Sequence, residues 1–293
     1  MFDPILKKLG KTKFIIILSV IVFLNLFLLP DTLFSINKTD QSIYFLDVGQ
    51  GDSQLIDVGD RKGANIQVLI DGGPANGKVL SELVKALGPS DRYIDIVILT
   101  HSDIDHFGGL MDVLQSYKVG VFVYNGIESD SLKFQSFKDE LYNTGVKVVI
   151  LGKGDSIFYK DLNLDFLLPE KNQREENINE SSIVTKVSMK GVTFLLTGDI
   201  GYKTEKLLRE GVSVDILKVA HHGSKFSSSL DFLERVNPKI SVIQVGKNNY
   251  GHPTEEVLNN IALVGSQVFR NDIDGTIKIK LNNNQLNIYA NSK

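Results

Sequence analysis

The first long pattern in the chain is apolar on every side. From Phe14 to Leu29 the run FIIILSVIVFLNLFLL carries no charge and shows no amphipathic period. It sits at the short end of the roughly 17–25 residues that cross a bilayer as a helix. Lys7, Lys8, Lys11 and Lys13 precede it, and Pro30 and Asp31 end it. Basic residues before the run, with little positive charge after it, predict an uncleaved anchor whose N-terminus is cytoplasmic. A cleaved signal peptide is the rival, but LPDTLFSIN offers no A-x-A site. Residues 1–40 are therefore expected to be a basic stub and an anchor helix over about 14–29. Residues 41–293 are expected to form one domain on the outer face of the membrane.

From Ile43 onward, short apolar runs alternate with stretches of helical period. YFLDVG, QLIDVG and QVLIDGG end in Gly or Asp turns and read as strands. Gly77–Leu87 sets Val79, Leu80, Leu83, Val84 and Leu87 at helical spacing. IDIVILT reads as a buried strand, Phe107–Tyr117 and Ser129–Thr144 as helices, and VKVVILG, SIFY and LNLDFLL as strands. PEKNQREENINE reads as a polar loop and IVTKVSMKG with VTFLLTGD as a hairpin. Helices follow at Tyr202–Glu210, Leu230–Val236 and Thr254–Leu263, with strands at DILKVA and ISVIQV. Asn271-Asp272-Ile273-Asp274-Gly275 is expected to be a hairpin turn between two closing strands. Such alternation predicts an α/β domain.

Two stretches repeat. Asp95 to His101 matches Asp215 to His221: each opens on Asp, passes through an apolar strand and delivers a histidine six residues later. VLIDGG (68–73) and FLLTGD (194–199) also correspond. The repeat predicts two βα units facing each other with both histidines at one rim.

Composition narrows the chemistry. The absence of cysteine removes disulfide scaffolds, thiolate zinc sites and cysteine nucleophiles. The net charge is −3, and four of the 32 basic residues lie before Phe14 against Asp3 alone, leaving the rest with 28 basic and 34 acidic residues. An acidic body lacks the basic footprint of a tight, nonspecific nucleic-acid binder. Bound divalent cations would offset part of that charge.

Four of the five histidines fall in two clusters. His101, Asp103, Asp105 and His106 follow a buried strand, a dense set of imidazole and carboxylate ligands for a divalent metal. His221 and His222 follow another; His221 takes the repeat-matched position, while His222 could orient it, bind substrate or support a ligand. Asp199, after an apolar strand, suits a carboxylate shared by two ions. His252, just before a helix, could contact a reacting phosphate or leaving group. Asp47, Gln50 and Asp52 in DVGQGDS, with Asp71 in LIDGG, could support ligands or meet substrate. Lys218, Lys225 and Lys247 could hold a phosphodiester but, as isolated lysines, are expected on the surface.

Together LDVGQGDS, LIDGG, THSDIDHFGG, Asn179-Glu-Ser-Ser182-Ile-Val, LLTGD, LKVAHHGS and NNYGHP resemble the metallo-β-lactamase superfamily. The set is most similar to the extracytoplasmic hydrolase domain of ComEC-type competence proteins, over about Ile43 to Ile288. The resemblance implies a four-layer αββα sandwich and two divalent ions, Zn²⁺ or Mn²⁺. It implies that His101 and Asp103 hold one ion and Asp105 and His106 the other. Asp199 would bridge, His221 would complete the second ion and Asp71 would support the ligands. Many superfamily members carry another histidine between the first motif and the bridging acid; here Asn179 and Ser182 occupy that region, which implies a weaker first position. With one apolar segment, the chain is expected not to form a translocation pore itself.

The expected activity is metal-dependent hydrolysis of a phosphodiester, with DNA as substrate and Asp105, His222 and His252 at the chemistry. The alternatives are an envelope phosphodiesterase of the teichoic-acid phosphorylcholine esterase type, or a non-catalytic metal-binding partner of a separate DNA-uptake channel.

Overall fold

A computed structural model describes residues 41–59, 65–171, 177–209, 211–282 and 285–290. The expected anchor lies outside them. Among the described residues no helix is long and apolar enough to cross a membrane.

The chain builds two sheets in succession. The first begins with antiparallel β1 (Gln41–Phe45), β2 (Gln54–Gly59) and β3 (Asn65–Ile70). It continues in parallel through β4 (Tyr93–Ile98), β5 (Lys118–Tyr124) and β6 (Lys147–Ile150). The second repeats that plan. β7 (Ser156–Tyr159), β8 (Leu162–Leu168), β9 (Val184–Met189) and β10 (Val192–Leu196) are antiparallel, and β11 (Ile216–Lys218), β12 (Ile240–Ile243) and β13 (Gln267–Arg270) then run parallel. The last strands, β14 (Ile277–Asn282) and β15 (Gln285–Ala290), return to the first sheet, where β14 pairs with β1.

Parallel neighbours require crossovers, and helices supply them. α1 (Lys78–Leu87), α2 (Ile104–Ser116) and α3 (Leu132–Asn143) serve the first sheet. The one-turn α4 (Tyr202–Glu205), then α5 (Leu230–Val236) and α6 (Glu255–Leu263), serve the second. Alternate strand residues divide the core. Ile43, Ile56, Val68 and Ile98 of the first sheet pack against Leu164, Val187, Phe194 and Val242 of the second. Leu55, Leu69 and Val97 face Val79, Leu83 and Phe107 of the helices on one outer side. Leu195, Leu217 and Ile243 face Phe232, Leu233 and Ile261 on the other. Each such side chain contributes roughly 1.5–3 kcal/mol on full burial, so the four layers are held by three apolar seams.

The structure departs from the sequence reading in the following places. α2 starts at Ile104, because Asp103 accepts a hydrogen bond from the Ile104 N–H (2.7 Å) and caps it. The helix after Asp199 ends at Glu205. Asn271–Asp274 is not a hairpin turn: it is one helical turn, α7, carrying the chain from β13 in one sheet to β14 in the other. Its polar residues serve that corner, since Asn271 Nδ2 donates to the carbonyls of Phe45 and Gly275 at 3.0 and 2.7 Å.

Candidate metal centre

The C-terminal ends of β3, β4, β10 and β11 lie at one rim, and their following loops carry Asp71, His101, Asp199 and the His221–His222 pair. The first turn of α2 adds Asp105 and His106. Glycine allows the close approach. The Gly72 N–H donates to the His106 carbonyl (2.7 Å), and the Gly109 N–H to the Gly73 carbonyl (2.8 Å). A Cβ on Gly109 would overlap the Gly72 carbonyl oxygen. Gly51, at φ +146°, likewise lets the loop after β1 dock on the Asp105 carbonyl, which accepts the Asp52 N–H at 3.2 Å.

His101, His106 and His222 are buried, and each engages its Nδ1. His106 Nδ1 lies 2.8 Å from Asp71 Oδ2; Asp71 also accepts the Thr100 hydroxyl (2.7 Å) and N–H (2.8 Å). His222 Nδ1 donates to the Gln244 carbonyl at 2.8 Å. His101 Nδ1 lies 3.0 Å from Thr100 Oγ1 and 3.2 Å from Ser182 Oγ. Those hydroxyls give their own protons to Asp71 and to the Asn179 carbonyl (2.6 Å), so the imidazole is the donor. Every Nδ1 is thereby engaged, and none of the three Nε2 atoms has a well-formed hydrogen bond.

The Nε2 atoms converge on carboxylates. Asp199 Oδ2 lies 3.3 Å from His106 Nε2 and 3.4 Å from His222 Nε2, and Asp105 Oδ2 lies 3.3 Å from His222 Nε2. The sets His101–His106–Asp199 and Asp105–His106–His222 each have ligand atoms within 4.8 Å of one another. Buried imidazoles pinned at Nδ1 beside unpaired carboxylate oxygen are the donor set a divalent cation takes.

Charge follows this geometry. Burial and the neighbouring His106 charge hold His101 down to about 3, so it is neutral at neutral pH. Burial alone would lower His106 and His222 as well. Asp199, aided by Asp71 at His106 and by Asp105 and Asp52 at His222, overcomes it and raises both well above the usual imidazole range. Burial opposes ionisation of Asp199 and Asp105, yet the charges and hydrogen bonds of His222 and His106 bring both below the usual carboxylate range.

Lys218 is the residue the sequence misplaced. It is 0% exposed rather than on the surface. Its ammonium pairs with Asp52, donates to the Gly198 carbonyl (2.8 Å) and lies 3.6 Å from Asp199 Oδ1. A lysine in the otherwise apolar run ILKVA, three residues before a histidine, was the available signal.

Residues 41–247 match the metallo-beta-lactamase superfamily. The chain belongs to this superfamily. The metallo-β-lactamase fold is one whose members are typically metal-dependent hydrolases. Its curated relatives include ComEC-type competence proteins. ComE operon protein 3 of Bacillus subtilis is 32% identical over 271 residues, covering 84% of this chain and 34% of that protein. Competence protein ComA of Neisseria gonorrhoeae is 27% identical over 252 residues, covering 84% and 33%. The chain thus spans about a third of the length of these relatives. Among solved structures, the metallo-β-lactamase fold protein YhfI of Bacillus subtilis superposes with a TM-score of 0.55 at 14% identity, over 78% of this chain and 96% of that one.

Within this metallo-β-lactamase frame, the geometry groups several candidate residues otherwise than their spacing in the sequence does. Asp103 is exposed, engaged with the Ile104 N–H, and outside both histidine sets. His222, not His221, joins Asp105 and His106. The reason is backbone: His221 (φ 48°), His222 (φ 54°) and Gly223 (φ 81°) turn left-handed in succession. This turn aims the second imidazole inward and leaves the His221 side chain 28% exposed, its Nε2 3.9 Å from Asp199 Oδ2. Left-handed non-glycine residues cost about 1–3 kcal/mol each. Asp47 lies away from the centre, beside another cavity with Glu82, Lys85 and Thr276. Asp52 and Asp71 stand behind His222 and His106. Ser182 supports His101 and also accepts the Asp199 N–H at 3.1 Å.

The centre opens into a cleft of about 740 Å³. Gln50, Asn179, His221, Lys247 and His252 line it, and Lys247 is exposed. Lys225 is exposed beside Phe226, its ammonium 5.0 Å from the ring centroid.

Proposed function

We propose that this chain is a metal-dependent phosphodiesterase that cleaves nucleic acid on the outer face of the membrane, anchored through residues 14–29. The observation that carries the reading is the convergence of three unpartnered Nε2 atoms with Asp105 and Asp199 on an open, polar cleft. The competence-protein relatives support DNA as the substrate class.

The overlapping sets His101–His106–Asp199 and Asp105–His106–His222 would hold two divalent ions, Zn²⁺ or Mn²⁺. When bound the ions supply charge neutralisation at the phosphate and acidify an attacking water. The chain's own groups fix the rest. Asp71, Thr100, Ser182 and Gln244 hold the imidazoles in one tautomer and one direction. Burial, with the charges of His221 and His222, lowers His252 to about 4. Neutral at physiological pH, it can donate one hydrogen bond to a phosphoryl oxygen. Lys247 at the rim adds a cation for a neighbouring phosphate.

The test is hydrolysis of DNA, RNA and a chromogenic phosphodiester by the full chain in detergent, with Mn²⁺ and with Zn²⁺. Asp105→Asn keeps the side-chain volume and removes a ligand charge. Its turnover is expected to fall by orders of magnitude with unchanged circular dichroism. Equal turnover in a folded Asp105→Asn variant would sink the assignment. Protease added to intact spheroplasts should reach the domain; protection until lysis contradicts the orientation.

A further inference from the structure

All five histidines of the chain fall in one row of rings. His101 and His106 have centroids 4.1 Å apart, His106 and His222 5.7 Å, His222 and His221 6.0 Å, and His221 and His252 5.7 Å. The row ends on Tyr250, 5.7 Å from His252 and tilted only 31° to it. It therefore runs from the buried centre to solvent: His101 is 1% exposed and Tyr250 75%.

The outer end is built. Asn248 Oδ1 accepts the N–H groups of Tyr250 (3.0 Å) and His252 (3.1 Å), while its Nδ2 donates to the carbonyls of Gly246 (2.9 Å) and His252 (2.8 Å). One asparagine thus closes the loop from both sides and fixes where the tyrosine stands. The tyrosine ring lies against His252 and lines the same cleft as Asp105 and His222. Lys247, three residues earlier, puts a cation on that cleft wall.

We propose that Tyr250 is a base-stacking platform that makes the site selective for single-stranded nucleic acid. The inference rests on the phosphodiesterase reading and names its substrate form. An exposed aromatic ring with its backbone fixed by Asn248, on a cleft wall that also carries a cation, matches a strand that alternates bases and phosphates. A base in a duplex already has both faces stacked and offers none to Tyr250. A single strand can lay a base on Tyr250, set a phosphate by Lys247 and carry the next linkage inward to the histidines. Tyrosine loses little conformational freedom when its ring is covered, so the platform costs little to use.

The experiment measures binding apart from cleavage. Fluorescence anisotropy of the full chain with Mn²⁺ compares a phosphorothioate oligothymidylate with an abasic strand of the same length. Wild type is expected to bind the base-bearing strand about tenfold tighter, the scale of one base–aromatic stack. Tyr250→Ala should erase that difference, and Tyr250→Trp should keep it. Equal affinity of wild type for the two strands overturns the proposal, as does an equal loss on both in Tyr250→Ala. Tyr250-dependent binding of a phosphorylcholine ester in place of the oligothymidylate also overturns it. A chain that discriminates the strands through Tyr250 but hydrolyses no unmodified DNA keeps the platform and sinks the nuclease reading. A chain that cleaves DNA with the same KM in Tyr250→Ala sinks the platform alone.

Discussion

The two halves of the molecule place their strands alike and equip them differently. In the first half β3 pairs with β4, and Asp95 accepts the Gln67 N–H at 2.9 Å. In the second β10 pairs with β11, and the matched Asp215 accepts the Thr193 N–H at 3.0 Å. Past the strand ends the match dissolves. Asp71, which braces His106, corresponds to Thr197, whose hydroxyl donates to the Lys218 carbonyl at 2.8 Å. Ile98, packed between the sheets, corresponds to the buried Lys218. The first half delivers Asp105 and His106 from a capped helix, and the second delivers His222 from a left-handed turn. A duplicated scaffold fixes where loops begin; the loops decide which side chain arrives.

The sharpest way to break this contrast is to delete each of the adjacent histidines. His222→Ala should reduce Mn²⁺-dependent phosphodiester hydrolysis by orders of magnitude, because it removes a donor from the convergent set. His221→Ala should cost about tenfold, as a neighbouring support would. The reverse order would restore the strand-matched assignment and overturn the geometric one.

Lys218 tests the electrostatic difference. Lys218→Met leaves Asp52 buried without its ammonium, and breaking such a pair costs about 3–5 kcal/mol. In a domain of this size that lowers Tm by about 10 °C. Ile98→Val, the counterpart change in the first half, should cost about 1 kcal/mol. Similar small shifts in both would show that the second half does not depend on its internal cation. Asp52→Asn added to Lys218→Met should recover part of the loss.

Within and across the halves, the histidines differ in what metal must displace. In chelator-treated protein His101 stays neutral, whereas carboxylates keep His106 and His222 protonated at neutral pH. Metal binding then releases protons, and affinity rises with pH by up to about tenfold per unit for each proton released. Calorimetry in buffers of different ionisation enthalpy reads that number directly. A binding heat independent of buffer would contradict it.

The smallest effect concerns the part the halves share. Asp95→Asn and Asp215→Asn should each destabilise by about 1 kcal/mol, the net value of one such hydrogen bond. Burial would raise Asp215, but hydrogen bonds from Lys239 and Thr193 prevail and bring it below the usual carboxylate range. Its contribution is therefore complete above the unfolded carboxylate pKa and is lost as pH falls through the lowered folded value. Asp215→Asn should flatten that part of the acid-denaturation curve in urea titrations at successive pH values.

Much of this frame was legible because strand and helix carry different apolar periods. The Leu230–Val236 helix and the 184–196 hairpin stand where the pattern placed them. The His101–His106 and His221–His222 clusters were visible because charged and imidazole groups rarely crowd a buried strand's end. What sequence spacing could not resolve was direction. Asp103 and Asp105 both line the cleft, but the helix starts between them, so the first caps it and only the second joins the histidine sets. Adjacent histidines look interchangeable until two left-handed residues turn one inward. Lys218 looked like a surface cation because its partners, Asp52 and Asp199, lie far away along the chain. The expected hairpin at 271–275 failed because no local pattern says to which sheet the next strand belongs.

The crossing at Asn271–Asp274 also sets a schedule for synthesis. β1, buried at every position, finds its outer neighbour only when β14 arrives, with Phe45 opposite Ile277. Until then one edge of the first sheet is an open, apolar template for any other strand. A pairing between residues so distant in the chain closes slowly, so the first sheet stays open on that side until β14 has been made. A chain halted before Gly275 would carry both histidine clusters and still present an unsealed edge, and it should accumulate as aggregates rather than as a smaller working domain.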